Sequence, residues 1–263
     1  MIKVNGIKVT IGHFPDNSLL FKYNTPARIH EITWLYENDE EQVIIYYLVK
    51  HLNRFGFKEI SLVLPYIPNA RMDRVKNRED VFTLKYFAEF INSLNFSVVK
   101  VLDPHSNVSE ALIQNIELMN IGNFINNNVL TDEHNCVKYD CLFFPDEGAV
   151  KRYSSLFNIP FIYGQKDRDW KTGEIKGLNI VGEVEKGKSY LIIDDICSRG
   201  GTFFHSASKL KELGAGDISL YISHCENTIL EGDLIKSGLL KKVYTTNSIF
   251  TKSHELIEIV YKF

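Results

Sequence analysis

The stretch from Tyr190 to Thr202 constrains the fold more than any other part of the chain. It passes from an apolar run through two carboxylates to two glycines. The run from Tyr190 to Ile193 predicts a buried strand, and the pattern from Phe203 to Leu213 predicts the helix that follows. Asp194 and Asp195 are then expected where a central parallel strand ends. Ligands of open α/β sheets bind at that edge, so the stretch predicts a binding site.

Three residues of this stretch, Gly200, Gly201 and Thr202, predict a phosphate-binding loop. Glycines allow backbone N–H groups to close around an anion, the dipole of the next helix favours negative charge, and Thr202 can add a hydroxyl. Asp194 and Asp195 would repel such a phosphate unless they served another group. Ribose hydroxyls or a bridging Mg²⁺ meet that need. The ligand implied is a phosphorylated sugar.

The same residues resemble the phosphoribosyl diphosphate (PRPP) loop of type I phosphoribosyltransferases and of PRPP synthetases. In that loop an apolar strand is followed by Asp-Asp, two variable residues and Asp-Thr-Gly-Gly-Thr. The chain keeps both aspartates, both glycines and the final threonine, but it has Ser198 and Arg199 where the family usually has Asp and Thr. The resemblance implies that the ribose and phosphate are bound by Asp194, Asp195, Ser198, Arg199, Gly200, Gly201 and Thr202.

Composition limits the classes of protein that remain. The chain has 263 residues, 44% of them hydrophobic and 24% charged, which is enough for one large or two medium cores. A net charge of −3 without a long basic run argues against nucleic acid as a partner. The four cysteines show no CxxC spacing, and neither a signal peptide nor an apolar run of about 18 residues is present. We therefore expect a cytoplasmic protein with no membrane partner.

Strands and helices alternate twice along the chain, which predicts an α/β protein with mostly parallel sheets flanked by helices. The strands are expected at 28–35, 59–64, 98–102, 141–144, 161–163, 190–193, 218–223 and 256–261. The helices are expected at 38–54, at 83–94, after Gly148 and after Gly201. The asparagine-rich stretch from Asn120 to Asn128 is the best boundary, and it predicts domains of residues 1–123 and 124–263.

Further polar segments follow predicted strands, where such folds place their sites. They are Pro65 to Arg74, Asp103-Pro104-His105, and Pro145 to Gly148 with Arg152. Each resembles a segment of the PRPP synthetases in the same order along the chain, whereas simple phosphoribosyltransferases share only the PRPP loop. The resemblance implies two tandem domains of one fold, ATP bound between them near a subunit interface, and a homo-oligomer, dimeric or larger.

The same resemblance assigns roles on the ATP side of the site. It implies that Arg71 holds ATP phosphates, that Asp73 helps to place the nucleotide, and that His105 and Asp146 form a metal site for Mg²⁺. Because Mg²⁺ usually keeps several waters, few protein ligands suffice. The alternatives are a surface ion pair for Arg71 and a structural role for a lone histidine.

Near the N-terminus, Phe14-Pro-Asp16-Asn-Ser18 resembles a Phe-x-Asp-Gly-Glu segment that holds adenine from a neighbouring subunit. Phe14 would stack on the base and Asp16 would accept from its amino group, with Ser18 in place of the usual Glu. The alternative is that Phe14 belongs to the core.

Lys166 and Arg168 match the two cations of a catalytic loop that closes over the transferring phosphates in PRPP synthetases. Cations there would neutralise charge that develops on the phosphoryl oxygens. The family loop often reads Lys-Arg-Arg, whereas Asp167 stands between the two cations here. An exposed charged loop without catalytic function is the competing interpretation.

The function predicted from these segments is a Mg²⁺- and ATP-dependent diphosphokinase. It would transfer the β,γ-diphosphate of ATP to the 1-hydroxyl of a ribose phosphate and release AMP. Ribose 5-phosphate is the default acceptor, and ADP-ribose is the alternative that Ser198 and Arg199 suggest. The rival functions are a phosphoribosyltransferase that consumes PRPP and a non-catalytic regulatory relative.

Overall fold

Strands alternate with helices along most of the chain. The computed structural model describes residues 1–25, 28, 30–132, 134, 136–168 and 175–263. The side chains of 166–168 and 175–177 lie outside that description. The chain divides into two units, Met1–Met119 with Phe263, and Asn120–Lys262. The division comes at the first residue of the asparagine-rich stretch.

The first unit contains a main sheet, a small hairpin and helices. Its strands are β1 (Ile2–Val4), β2 (Ile7–Lys8), β3 (Gly12–His13), β4 (Leu19–Leu20), β5 (Glu31–Trp34), β6 (Ser61–Val63), β7 (Val98–Val101) and β8 (Ile116–Leu118). Its helices are α1 (Glu40–Arg54), α2 (Thr83–Ser93) and α3 (Asn107–Leu112). The described strands of the main sheet have the order β2-β1-β5-β6-β7-β8. The strands from β5 to β8 are parallel, and β1 is antiparallel to both of its neighbours.

Helix α1 shows why this unit folds as the sequence predicts. Its apolar residues recur every three to four positions, some with an apolar neighbour, and form a buried stripe that includes Ile44, Leu48 and Leu52. Glutamates occupy its first turn and Arg54 its last, which suits the helix dipole. Gly56, with φ of +88°, follows the helix end. The stripe packs into one core with the strands and α2.

The second unit contains a larger, mainly parallel sheet. Its strands are β9 (Cys141–Phe144), β10 (Phe161–Arg168), β11 (Ile175–Val181), β12 (Tyr190–Cys197), β13 (Ile218–Cys225), β14 (Lys242–Thr246) and β15 (Ile257–Tyr261). Its α-helices are α4 (Ile121–Ile125), α5 (Glu147–Tyr153), α6 (Gly201–Glu212) and α7 (Asp233–Lys236). A π-helical turn spans Asn126–Leu130, and 3₁₀ turns span Ser154–Leu156 and Asn227–Glu231.

The described strands of the second sheet have the order β11-β10-β9-β12-β13-β14-β15. All neighbouring pairs are parallel except β10 and β11, which form an antiparallel edge hairpin. Strand β13 is buried at every residue, as expected for a central parallel strand with helices on both faces. The two faces of β12 contribute to different cores, one containing Ile192 and α6 and the other containing Ile193 and α5.

The α/β class with parallel sheets flanked by helices is confirmed. The strand expected at 190–193 differs, because β12 continues through both aspartates to Cys197. Ile196 and Cys197 keep the ladder with β13 by pairing with His224 and Cys225. Asp194 and Asp195 therefore lie inside the paired part of β12 rather than after its end. Within the described residues, no helix is long and apolar enough to cross a membrane.

Candidate functional site

The loop between β12 and α6 is shaped by a glycine that no other residue could replace without strain. Gly200 has φ of +80°, and a Cβ there would lie 2.7 Å from a methyl carbon of Leu234. It occupies the N-cap position of α6, so no side chain caps the first turn of that helix. The first N–H groups of a helix have no partner within the helix. These groups and the helix dipole are therefore available to an anion at this loop.

A second segment, which contains Gly232, packs against the loop. A Cβ on Gly232, just before α7, would collide with the backbone oxygen of Arg199. The Arg199 guanidinium also pairs with Glu231, with 3.2 Å between Nη2 and Oε2. Both side chains are largely exposed, so this ion pair orients more than it stabilises. The backbone of the loop is thus fixed by packing, while the Arg199 side chain stays accessible.

Asp194 and Asp195 lie at the carboxyl end of β12, a few residues before the loop. The Asp195 side chain is only 4% exposed, and its Oδ1 accepts from Arg152 Nη1 at 2.8 Å. Asp194 is half-buried, and its Oδ1 accepts from the backbone N–H of Asp195 at 3.0 Å. Arg152 belongs to α5, which follows β9, the neighbour of β12 in the sheet. The order of the strands therefore brings the acidic pair and the Arg152 cation together at the carboxyl end of β12.

The surroundings raise the pKa of Asp194 well above its ordinary value of 3.8. Burial is the largest cause, because it disfavours the charged form. The charge of Asp195 and the hydrogen bond with its side chain add to the increase, and the positive charge of Arg152 opposes it. The site therefore favours a protonated Asp194 beside an Asp195 that is held in an ion pair.

Asp194→Asn is expected to make the protein more stable than the wild type at neutral pH. In the wild type the folded state holds the Asp194 proton more tightly than the unfolded state. The unfolding free energy therefore falls as pH rises above the unfolded pKa of 3.8 towards the higher folded value. Asparagine removes this dependence and keeps the hydrogen bond from Asp195 N–H, so the advantage of the variant should shrink as pH falls towards 3.8.

Denaturant unfolding of both proteins between pH 4 and pH 8 measures this difference. Asp217→Asn is the control, because Lys241 lowers the pKa of Asp217 and the sign is opposite. That variant should lose stability at neutral pH rather than gain it. A stability difference between Asp194→Asn and the wild type that does not change with pH would contradict the raised pKa.

Two other buried polar groups near this edge are structural. The pKa of Cys197 is raised well above its usual range, so its thiol stays protonated. The hydrogen bond with the Cys225 side chain is the largest cause, and burial is the second. His224 is buried, and its Nδ1 lies 2.8 Å from Ser248 Oγ. Both side chains therefore have structural partners within the second unit.

Asp146 begins α5. Its Oδ1 accepts from the N–H groups of Gly148 and Ala149 at 3.0 and 3.1 Å, which is the geometry of a helix N-cap. In the described parts of the chain, no three His, Cys, Asp or Glu side chains form a metal-binding group. Mg²⁺ commonly binds one or two protein groups together with substrate phosphates and waters. The Asp146 carboxylate is by itself a ligand that fits this mode, and so, in the first unit, is the His105 imidazole.

In the first unit, Asp73 and His105 come from loops that follow the neighbouring strands β6 and β7. Asp73 is buried, and its Oδ1 accepts from Arg74 Nε at 2.8 Å. Burial raises the pKa of Asp73, but the hydrogen bonds from Arg74 and Ser106 and the charges of Arg74 and His105 outweigh it and lower the pKa overall. Asp73 is thus an ionised anchor for this loop.

Two further features of the first unit concern ligand contact. Arg71 is exposed and lies two residues before Asp73. Asp103, at the end of β7 and two residues before His105, is buried with φ of +41°. That conformation is strained for a residue other than glycine, and such strain is common at binding sites.

The predicted adenine segment forms the tip of the β3–β4 hairpin. Phe14 N–H donates to the Ser18 carbonyl at 2.8 Å, and Asn17, with φ of +64°, completes the turn. Asp16 accepts from the N–H and hydroxyl of Ser18, and these hydrogen bonds lower the pKa of Asp16. The Phe14 ring is 49% exposed, so it is not a core residue.

Lys166 and Arg168 lie on β10, and the strand expected at 161–163 continues to Arg168. Lys166 pairs with Leu178 and Arg168 with Ile175 on β11, so both belong to the backbone of the edge hairpin. Their side chains lie outside the described part of the structure. Their predicted contact with phosphates remains a prediction.

Sequence reasoning missed three parts of this arrangement. It quoted Arg152 without giving it a role, and it gave no role to Glu231 or Gly232. Each acts through a tertiary contact with a residue far along the chain, which no local pattern reveals. The only local signal was the placement of Arg152 in a segment already singled out by Pro145 to Gly148.

No model of a known protein family matches the chain. The chain is 23% identical over 260 residues to a ribose-phosphate pyrophosphokinase of Saccharolobus solfataricus, an alignment that covers 96% of the chain and 88% of that protein. It is 30% identical over 213 residues to a ribose-phosphate pyrophosphokinase of Staphylococcus haemolyticus, covering 77% of the chain and 64% of that protein.

Among solved structures, the phosphoribosylpyrophosphate synthetase of Mycobacterium smegmatis matches with a TM-score of 0.75. It is 18% identical, and the match covers 96% of the chain and 85% of that structure. The fold therefore defines an α/β protein with two phosphoribosyltransferase-like domains in tandem. Together with the curated relatives, this shows that the chain resembles the ribose-phosphate pyrophosphokinases in sequence and in fold.

Proposed function

We propose that the protein is a Mg²⁺- and ATP-dependent diphosphokinase with a ribose phosphate as acceptor. The observation that carries the proposal is the edge of the second sheet, where an acidic pair and an uncapped helix N-terminus lie within one loop of each other. Relatives across most of the chain are named ribose-phosphate pyrophosphokinases. The proposed acceptor binds with its ribose hydroxyls at Asp194 and Asp195 and its phosphate at residues 198–202.

In this reaction the 1-hydroxyl oxygen of the acceptor attacks the β-phosphorus of ATP. The bond between that phosphorus and the α,β-bridging oxygen breaks, AMP leaves, and the hydroxyl proton passes to solvent. Asp146 and His105 are the residues that would hold Mg²⁺, and the ion would supply charge that neutralises the ATP phosphates. The protein has little covalent chemistry to perform, so positioning and electrostatic stabilisation provide the catalysis.

The remaining site residues contact ATP or neutralise charge on the transferring group. Arg71 binds ATP phosphates from its exposed position, while Asp73 holds the same loop. Phe14, exposed at its hairpin tip, stacks on adenine, with Asp16 and Ser18 beside it. Lys166 and Arg168 neutralise charge on the transferring group.

The experiment that tests the proposal measures AMP formed from ATP and Mg²⁺ with a panel of ribose phosphates. AMP that appears only with an acceptor supports a diphosphokinase. Consumption of PRPP and a base, with no AMP from ATP, would instead identify a phosphoribosyltransferase. Absence of both activities would favour a regulatory relative.

One observation favours a second acceptor. Arg199 is exposed beside the phosphate loop and keeps its guanidinium accessible despite its pair with Glu231. A guanidinium can bind two oxygens at once, and with Ser198 in place of an acid the loop suits more phosphate charge than a monoester carries. ADP-ribose, whose 5-position bears a diphosphate ester, would meet that requirement. Its product would be the 1-diphosphate of ADP-ribose.

Arg199→Thr is expected to lower the ratio of kcat/KM for ADP-ribose over ribose 5-phosphate by about tenfold or more, because a charge-assisted contact to the diphosphate is lost. Both acceptors must be measured under one set of conditions, since specificity is a difference of affinities. Lys209→Thr, which removes a half-buried cation further along α6 that pairs with Glu212, is the control and should leave the ratio unchanged. A wild type that prefers ribose 5-phosphate and a ratio insensitive to Arg199 would exclude the ADP-ribose acceptor.

A further inference from the structure

Arg152 is held on two sides by buried parts of the second unit. Its guanidinium carbon lies 5.4 Å from the centre of the Tyr153 ring, and its Nη1 lies 2.8 Å from Asp195 Oδ1. Tyr153 is fully buried and stacks on Phe144 of β9. The Arg152 side chain is 24% exposed. The guanidinium is therefore anchored by packing as well as by charge.

The Arg152 cation contacts the acidic pair, which lies close in sequence to the phosphate loop. Asp194 and Asp195 are adjacent, and the phosphate loop begins three residues after Asp195. An uncompensated Asp195 carboxylate at that distance would repel a bound phosphate. A carboxylate as buried as Asp195 also requires a partner, because leaving a buried charge unpaired is strongly unfavourable. Arg152 meets both requirements with one contact.

We propose that Arg152 is a positioning residue of the acceptor site, which fixes the Asp195 carboxylate and offsets its charge so that the acidic pair can bind ribose hydroxyls beside a phosphate. The proposal rests on the proposed function, since the ligand is the same ribose phosphate. Arg152 acts through Asp195 and not on the reacting atoms. It links the helix that Asp146 begins to the strand that carries the acidic pair.

A purely structural ion pair between α5 and β12 would have different consequences. Its loss would lower thermal stability and affect both substrates alike. A positioning role affects the acceptor selectively and depends on Asp195 being charged. These two consequences separate the interpretations.

The test begins with Arg152→Gln, Arg152→Lys and the control Lys151→Gln, which removes an exposed neighbouring cation of α5. The dissociation constant of ribose 5-phosphate is measured by calorimetry, with ADP-ribose as a second probe, and the KM values of both substrates are measured where turnover allows. In Arg152→Gln we expect the acceptor constants to rise at least about tenfold, the scale of a lost hydrogen bond to a charged group, with the KM for ATP nearly unchanged. Arg152→Lys should recover part of the loss, and Lys151→Gln should match the wild type.

The decisive measurement is a double-mutant cycle with Asp195→Asn. If Arg152 acts through the Asp195 charge, Arg152→Gln should weaken acceptor binding little further once residue 195 is asparagine. Losses that multiply in the double variant would overturn the proposal, as would acceptor binding that Arg152→Gln leaves intact. Should Arg152→Gln alone fail to fold, the double variant compared with Asp195→Asn decides, because neither leaves a buried aspartate unpaired.

The outcomes also separate this proposal from the proposed function. A wild type that binds ribose 5-phosphate or ADP-ribose but forms no AMP contradicts the diphosphokinase activity alone, and the calorimetric cycle still decides the role of Arg152. A wild type that binds neither acceptor overturns both.

Discussion

Replacing Lys166 with alanine is expected to lower kcat at least about a hundredfold, with a much smaller change in the dissociation constant of ATP. This is the scale of losing one preorganised group that stabilises charge in the transition state. The reaction places developing charge on the oxygens of the transferring group, and a cation that contacts them mainly in the transition state raises kcat rather than affinity.

Single-turnover AMP release and ATP calorimetry measure the two effects separately. Lys188→Ala is the matched control, because Lys188 forms an exposed ion pair with Asp140 near the amino end of β12. That variant should keep wild-type turnover. Near-normal turnover in Lys166→Ala, or an equal loss in both variants, would remove the catalytic assignment of the hairpin.

The double variant Asp194→Asn with Asp195→Asn should lose acceptor affinity by at least about a hundredfold while the protein remains folded. A hydrogen bond to a charged group contributes about 1.5–3 kcal/mol, and each tenfold change in affinity corresponds to about 1.4 kcal/mol. The Asp195 carboxylate is one such group, and a hydrogen bond with the neutral Asp194 carboxyl adds about 0.5–1.5 kcal/mol, so the two together account for a loss of this size. Asparagine keeps the shape of both side chains and an oxygen that can accept from Arg152, so packing is preserved.

Calorimetry with ribose 5-phosphate and with ADP-ribose measures the affinity, and near-UV circular dichroism monitors the fold. Asp217→Asn serves as the control, since Asp217 is exposed and pairs with Lys241 near the amino end of β13. Unchanged acceptor binding in the double asparagine variant would show that the acidic pair does not hold the ribose. Loss of the fold in that variant would instead show a structural requirement for the two carboxyl side chains.

The elements that could be predicted from the sequence are those with strong local patterns. Helix α2 was expected at 83–94 and is observed at Thr83–Ser93, and the strand expected at 141–144 is β9 as predicted. The short strands β1 and β2 were missed because two or three residues carry no periodicity. β2 pairs with β1 and β1 pairs with β5, and the sequence of the two short strands does not reveal where β5 lies along the chain.

The edge hairpin shows a different limit. Beyond Tyr163, β10 continues through polar residues that suggest a loop, and β11 was not expected at all. Strand pairing supplies their hydrogen bonds, and an edge strand needs few apolar side chains, so hydropathy does not mark it. The end of β12 was misplaced for a related reason, because ion pairing with Arg152 allows an aspartate to remain within a buried strand.

The phosphate loop could be found from sequence because its geometry is local: Gly200 caps the helix start, and Gly201 and Thr202 form its first residues. Its partners could not be found in this way. Arg152 and Glu231 reach the loop region only after the sheet has formed, and their spacing from Asp195 and Arg199 along the chain reflects topology rather than chemistry. The position of the site was thus predictable, but its electrostatic balance required the tertiary structure.

Because Gly232 contacts the backbone of Arg199, the phosphate loop and the segment before α7 should be treated as one unit when the protein is engineered. Gly200 packs on Leu234 while Gly232 packs on the Arg199 carbonyl, so the main-chain paths of 198–202 and 227–236 fit each other. A graft of the loop alone from a relative would bring a backbone shaped for a different supporting segment. Exchange of acceptor preference between relatives should therefore move both segments together, and a library that varies only the loop samples half of the relevant surface.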